Sequence, residues 1–172
     1  SGVMAATPRL FMGQVRTQIT ITNRLDEALA EKGIIPAEQV RTVTLNSVLA
    51  DSGAMMLSLP IKIIEQLGLA PLKEVLASTA AGYQRTRVFQ DAKVSIGDRV
   101  GVFQCLELPG GDNPLLGVIP MEELGLELDL QKQELKLLPM EPGNSYLLAY
   151  GHTLHHLDGT LLDVSEMRES QQ

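Results

Sequence analysis

The run Val48-Leu49-Ala50-Asp51-Ser52-Gly53-Ala54 sets one carboxylate on a tight turn at the end of an apolar strand. A small hydroxyl residue, a glycine and an alanine after the acid leave backbone N–H groups and the Ser52 hydroxyl free to orient the carboxylate in a cramped site. A carboxylate held in this way is suited to general acid or base chemistry. The tripeptide alone is an ordinary β-turn sequence, and the flanks make it specific. An apolar strand, Ser47 to Ala50, leads in. Pro60 to Leu67 follows, with Pro60, Ile63, Ile64 and Leu67 spaced as one helical face and Gly68 as the stop.

Other reactive side chains offer less. Cys105 lies in the apolar run Val102-Phe103-Gln104-Cys105-Leu106 and reads as a buried strand residue without a catalytic role. A cysteine nucleophile needs a histidine, and the three histidines, His152, His155 and His156, fall together near the C-terminal end. On a helix, His152 and His156 would share a face, with Asp158 and Asp163 as possible oxygen ligands. Gly151, Asp158 and Gly159 argue against a long helix there, so the cluster reads as solvated. No metal and no cofactor is expected.

The sequence Asp51-Ser52-Gly53-Ala54, with Leu57-Ser58-Leu59-Pro60 and Gln66-Leu67-Gly68-Leu69 after it, resembles the retropepsin-like, single-domain aspartic peptidases of clan AA. A second stretch strengthens the likeness. Leu115-Leu116-Gly117, then Pro120 and Glu123-Leu124-Gly125-Leu126, echoes the Asp51 turn and its helix, as a degenerate internal duplication would. In the resembling family, two apolar residues and a glycine form a second turn that packs beside the catalytic one. Here leucines stand where the first copy has Asp51 and Ser52. The resemblance therefore implies one catalytic aspartate per chain and a site completed by a second chain.

The chemistry so implied is hydrolysis of peptide bonds by an acid pair. Two carboxylates in one cramped site hold one proton between them. The ionised member activates water as general base, the protonated one donates to the scissile carbonyl, and the roles then reverse. In this reading Asp51 is catalytic, and Ser52, Gly53 and Ala54 support the loop. A lid is expected from the hairpin that joins strands Lys73–Ser78 and Arg85–Gln90. Its tip is Thr79-Ala80-Ala81-Gly82-Tyr83, and Ala80, Ala81, Gly82 and Tyr83 correspond to the flap of the resembling family. This tip has less glycine than retroviral flaps. The alternative reading is a retropepsin-like domain that no longer cleaves and serves as a dimeric peptide-binding module.

Composition narrows the partners. The chain has 172 residues, a net charge of −7 and no basic cluster, so nucleic acid is not expected as a partner. Arg85, Arg87, Lys93 and Arg99 are the densest basic set, and their alternation along strands reads as a solvent-facing stripe. No apolar run reaches the roughly 20 residues of a membrane span. One cysteine excludes an intrachain disulfide and fits a reducing compartment. A soluble, cytoplasmic homodimer acting on protein or peptide substrates is expected.

The supporting elements read as mostly β. Gln14–Thr22 and Val40–Leu45 alternate with period two. Leu25–Lys32, stopped by Gly33, reads either as a short helix or as a polar excursion. Further strands are expected at Lys93–Ile96, Val100–Leu108, Leu126–Leu130 and Glu134–Leu138. The expected fold is a closed β-barrel of the acid-protease type with one or two short helices, over residues 12–139. Residues 1–11 would form an N-terminal extension, with Ser1-Gly2 read as an expression remnant, and 140–172 a C-terminal one. Within the latter, Tyr146–Tyr150 is apolar enough to be expected as an added strand or a dimer contact.

Overall fold

The computed structural model describes residues 14–79 and 81–139, and the backbone of 154–157 and 160–163. Expectations for the N-terminal extension, Ala80, Tyr146–Tyr150, His152 and Asp158 lie outside the described residues. Strand β1 (Val15–Asn23) is followed by helix α1 (Arg24–Glu31), a 3-10 turn (Ala37–Gln39) and β2 (Thr42–Ala50). Then come β3 (Leu57–Leu59), α2 (Ile61–Leu67), β4 (Ala70–Thr79), β5 (Gly82–Ile96) and β6 (Arg99–Glu107). The domain ends with β7 (Leu115–Leu116), α3 (Val118–Glu123) and the hairpin β8 (Leu126–Asp129) and β9 (Glu134–Leu137). Strands β10 (Leu154–Leu157) and β11 (Thr160–Asp163) pair with each other as a separate antiparallel hairpin.

Six strands close into a ring. β1 pairs antiparallel with β2 and, through Thr20–Asn23, with β5. From β2 the ladder passes to β7 in parallel, then to β3, in parallel to β6, and back antiparallel to β5. Closure removes the unpaired edges that an open sheet would leave. Only β4 hangs outside the ring, on β5. Alternation fills the interior, with Gly101, Phe103 and Cys105 of β6 turned inward and Val100, Val102 and Gln104 outward. Ile19, Ile21, Val48, Leu57, Leu59, Ile64, Leu67 and Leu116 are buried with them. This is the mostly-β, closed-barrel architecture expected from the sequence.

The segment open to two readings, Leu25–Lys32, is helix α1. Asn23 explains it: its Oδ1 accepts from the Asp26 N–H at 3.0 Å, while its Nδ2 donates to the carbonyls of Leu67 at 2.8 Å and Gly68 at 3.2 Å. One buried amide thus caps the start of α1 and satisfies carbonyls at the end of α2. Asp26 is itself buried and accepts from the Arg41 Nε at 2.8 Å, its Nη2 at 3.1 Å and its backbone N–H at 3.1 Å. These bonds from Arg41 hold the Asp26 carboxyl below its ordinary value of 3.8 against the opposing effect of burial.

A carboxyl whose folded value is depressed stabilises the fold at pH above 3.8 and gives up that stability as pH falls through the lower folded value. Asp26→Asn is therefore expected to cost about 2 kcal/mol at neutral pH. The difference from the parent chain should shrink at pH below 3.8, measured by urea unfolding at a series of pH values.

Two readings need correction. Lys93–Ile96 is not a separate strand but the far half of β5, which runs unbroken from Gly82 to Ile96 and pairs with β4, β6 and β1 along its length. Arg99 is not solvent-facing: it is only 6% exposed. Its Nη1 donates to the carbonyls of Leu124 at 2.9 Å and Gly125 at 3.2 Å, and its Nη2 donates to the Leu138 carbonyl. The carbonyl end of α3 needs donors, and a cation there also meets the negative end of the helix dipole. Lys93 is half-buried and donates to Glu27 at 2.6 Å, tying α1 to the barrel, so it does not join a free basic stripe either. Helix α3 begins at Val118, two residues before Pro120, whose missing N–H is no loss within the first turn.

Candidate active site

Asp51 follows directly on β2, whose last residues Leu49 and Ala50 pair in parallel with Leu115 and Leu116. The pairing continues one step, because the Asp51 N–H donates to the Leu116 carbonyl at 3.0 Å. The chain then turns, and the Ala54 N–H donates to the Asp51 carbonyl at 3.2 Å. Inside this turn the Gly53 N–H donates to the Asp51 Oδ1 at 2.8 Å, which fixes the carboxylate. A side chain at Gly53 would crowd it, since a Cβ there would lie 3.1 Å from the same oxygen. Asp51 is half-buried; Ser52 and Gly53 are exposed, and the Ser52 hydroxyl has no partner among the described residues.

The second turn lies directly against the first. The Val118 N–H donates to the Ala54 carbonyl at 2.8 Å and the Ile119 N–H to the Met55 carbonyl at 2.9 Å. Gly117 makes the contact feasible. A Cβ on it would stand 2.6 Å from the Met55 carbonyl carbon, 2.6 Å from the Met56 oxygen and 2.7 Å from the Ala54 oxygen. Its φ of −88° suits any residue, so space and not backbone conformation demands glycine here. Leu115, Leu116 and Gly117 therefore adjoin Asp51, and Leu116 is wholly buried.

The hairpin β4–β5 leaves the barrel as a two-stranded arm. β6 accompanies β5 only as far as the pair Val88–Leu106, and beyond it residues 82–87 pair with β4 alone. One face of the arm carries Val75, Ala77, Gln84 and Thr86, and it turns inward at its base, where Thr86 is buried and donates to the Glu107 carbonyl at 2.6 Å. The other carries Glu74, Leu76, Arg85, Arg87 and Tyr83, and Tyr83 is 80% exposed on it. Gly82 has a φ of +106°, which favours glycine at the tip. Reading the sequence missed Thr79. Its hydroxyl donates to the Gly82 carbonyl at 2.7 Å and accepts from the Ala81 N–H at 3.2 Å, closing the tip. A threonine three residues before a turn glycine was the available signal.

A polar recess of about 330 Å³ sits where the arm joins the barrel, lined in part by Glu74, Arg85, Arg87 and Glu107. Its charges are answered internally, Arg87 by Glu107 at 2.9 Å and Arg85 by Glu74 at 3.8 Å. Cys105 is buried in β6, and burial pushes its thiol up to about 12, so it is a poor nucleophile at neutral pH. Among the described residues no group of three or more His, Cys, Asp or Glu side chains is arranged to hold a metal ion. His155 and His156 lie on strand β10 and not on a helix. No helix among the described residues is long and apolar enough to cross a membrane.

The Asp-Ser-Gly-Ala turn clasped by the Leu-Leu-Gly turn, on a closed β-barrel with a hairpin arm between them in sequence, holds one half-buried carboxylate in a fixed orientation. The model of the aspartyl protease family matches residues 38–119, from the 3-10 turn before β2 through both turns to the start of α3. The chain thus resembles the aspartyl proteases of the retropepsin-like clan over this stretch, and the likeness supports a protease-like function. No curated protein matches the chain.

Proposed function

We propose that the protein is an aspartic endopeptidase that works as a homodimer, each chain contributing one Asp51 to a shared acid pair. The observation that carries this reading is the Asp51 turn, whose carboxylate is fixed by the Gly53 N–H while the turn is locked to Leu116. Residues 12–139 form the peptidase domain, and the terminal segments are extensions to it. We place its work in the cytoplasm, where a single thiol stays reduced.

In the dimer, water sits between the two carboxylates and the scissile carbonyl. The ionised carboxylate takes a proton from the water as its oxygen bonds to the carbonyl carbon, and the protonated partner donates to the carbonyl oxygen. The tetrahedral diol then collapses: the carboxyl that took the water proton gives it to the departing nitrogen, the partner carboxylate takes a proton back from a diol hydroxyl, and the C–N bond breaks. No covalent intermediate forms. Ser52 steadies the paired turns through its hydroxyl, Gly53 and Ala54 keep the approach open, and Leu115, Leu116 and Gly117 hold the turn from behind. The arm tip, Ala80, Ala81, Gly82 and Tyr83, acts as the flap, closing over an extended peptide.

Peptide-library cleavage between mildly acidic and neutral pH, followed over a range of protein concentrations, tests the reading. Specific activity is expected to rise with concentration as chains pair. A stable dimer that cleaves nothing across the library would replace the enzyme with a peptide-binding module. Thr79→Ala should loosen the arm tip and raise KM several-fold at unchanged thermal stability; an unchanged KM would remove Thr79 from flap control.

A further inference from the structure

At the foot of the arm each arginine already faces a carboxylate, but a second recess leaves its polar side chains unused. It measures about 260 Å³ and lies in the angle between β3, β6 and α3, walled by Met56, Val102, Ile119 and Pro120 and edged by Gln104 and Glu123. Among the described residues neither the Gln104 amide nor the Glu123 carboxylate makes a side-chain hydrogen bond, and no cation pairs with Glu123. The walls strip water from one side of that carboxyl, and this burial holds it above its ordinary value of 4.5. Arg99, whose guanidinium reaches the end of α3, is spent on the carbonyls of Leu124, Gly125 and Leu138. The helix does not call for an acid here either. Glu123 is the last residue of α3, whose last turn has no basic side chain, and a carboxylate at that end meets the negative pole of the helix dipole.

A cation on an apolar stem would answer both the walls and the edge. Lysine and arginine lay their methylenes along apolar surface and keep the charged head at a polar border. Val102 and Ile119, 42% and 45% exposed, offer that surface, and the Glu123 carboxylate and the Gln104 amide oxygen offer two acceptors for the head. The recess falls below the roughly 300 to 1,000 Å³ of small-molecule sites, which favours one side chain of a polypeptide. A net charge of −7 attracts a basic polypeptide from a distance and repels a second copy of the chain. Position selects the carrier. Met56 lies five residues after Asp51, and the Ile119 N–H is bonded to the Met55 carbonyl, so the recess borders the candidate site.

Resting on the proposed peptidase, we infer that this recess is a substrate-docking site that takes a lysine or arginine side chain at a distance from the bond being cut.

Decapeptide pools in which one position at a time is fixed as lysine, or as norleucine with a similar stem and no charge, test it by binding to the full Asp51→Asn chain, read by competition in fluorescence anisotropy. At one or more positions the lysine pool is expected to bind about 5-fold more tightly than the norleucine pool. Glu123→Gln should abolish that preference. Glu38→Gln, which removes an exposed acid from the 3-10 turn, should keep it. Glu123→Lys should turn the preference towards pools fixed as glutamate, which loss of a merely structural acid would not do. Equal binding of lysine and norleucine pools at every position, or a preference that survives in Glu123→Gln, would overturn the site. Cleavage of the same pools by the parent chain is scored separately. Cleavage without any lysine preference would refute the site and keep the enzyme. A Glu123-dependent preference for pools that the parent never cuts would support the recess and refute the enzyme.

Discussion

Asp51→Asn is expected to abolish peptide cleavage, with a loss of about 10^4-fold or more, because in a homodimer one substitution removes both the general base and the general acid. The fold should not change. The Asn side-chain oxygen can still accept from the Gly53 N–H that now reaches Oδ1 at 2.8 Å, and the backbone bond to Leu116 is untouched. Stability within about 0.5 kcal/mol of the parent, read by urea unfolding, separates a chemical defect from a structural one. Residual cleavage at the parent's rate would remove Asp51 from the chemistry.

Gly117→Ala carries the second large effect, and it acts on structure. The added methyl would meet three backbone atoms at 2.6 to 2.7 Å, and none of them belongs to a side chain that can swing away. Relief requires the second turn to withdraw from the first, which breaks the bonds from Val118 to Ala54 and from Ile119 to Met55. A cost of about 3 kcal/mol is expected, at the upper end for overpacking, together with loss of cleavage as the Asp51 turn loses its backing. Gly82→Ala is the contrast. Nothing lies within 4 Å of a Cβ there, and only its positive φ opposes the change, so a cost nearer 1 kcal/mol is expected. Equal urea midpoints for the two variants would contradict the close packing of the two turns.

Much of this was legible in local patterns. Period-two alternation marked β1 and the start of β2, the spacing of Ile63, Ile64 and Leu67 with Gly68 marked α2, and the echo of Leu115-Leu116-Gly117 marked the turn that adjoins Asp51. What escaped was set by contacts distant in sequence. Arg99 looked like one of several alternating strand cations until the carbonyl end of α3, some 25 residues on, supplied its acceptors. Asn23 lies outside the segment read as a helix, and its bond to Leu67, 44 residues away, has no local signal. The continuity of β5 was hidden because its partner changes from β4 to β6 to β1 along its length, so no single alternation runs through it. The arm tip was read as Thr79 to Tyr83, longer than it is, because Thr79 and Gly82 extend the strands to within two residues of each other.

The most direct test of a shared acid pair is chain mixing. Parent and Asp51→Asn chains are equilibrated in a series of ratios at constant total protein, and cleavage is measured per parent chain. If each active unit needs Asp51 from two chains, exchange into mixed dimers at nine variant chains per parent chain leaves about one-tenth of the activity per parent chain. Activity per parent chain that stays constant throughout the series would show that one chain carries the whole reaction, and would contradict the account.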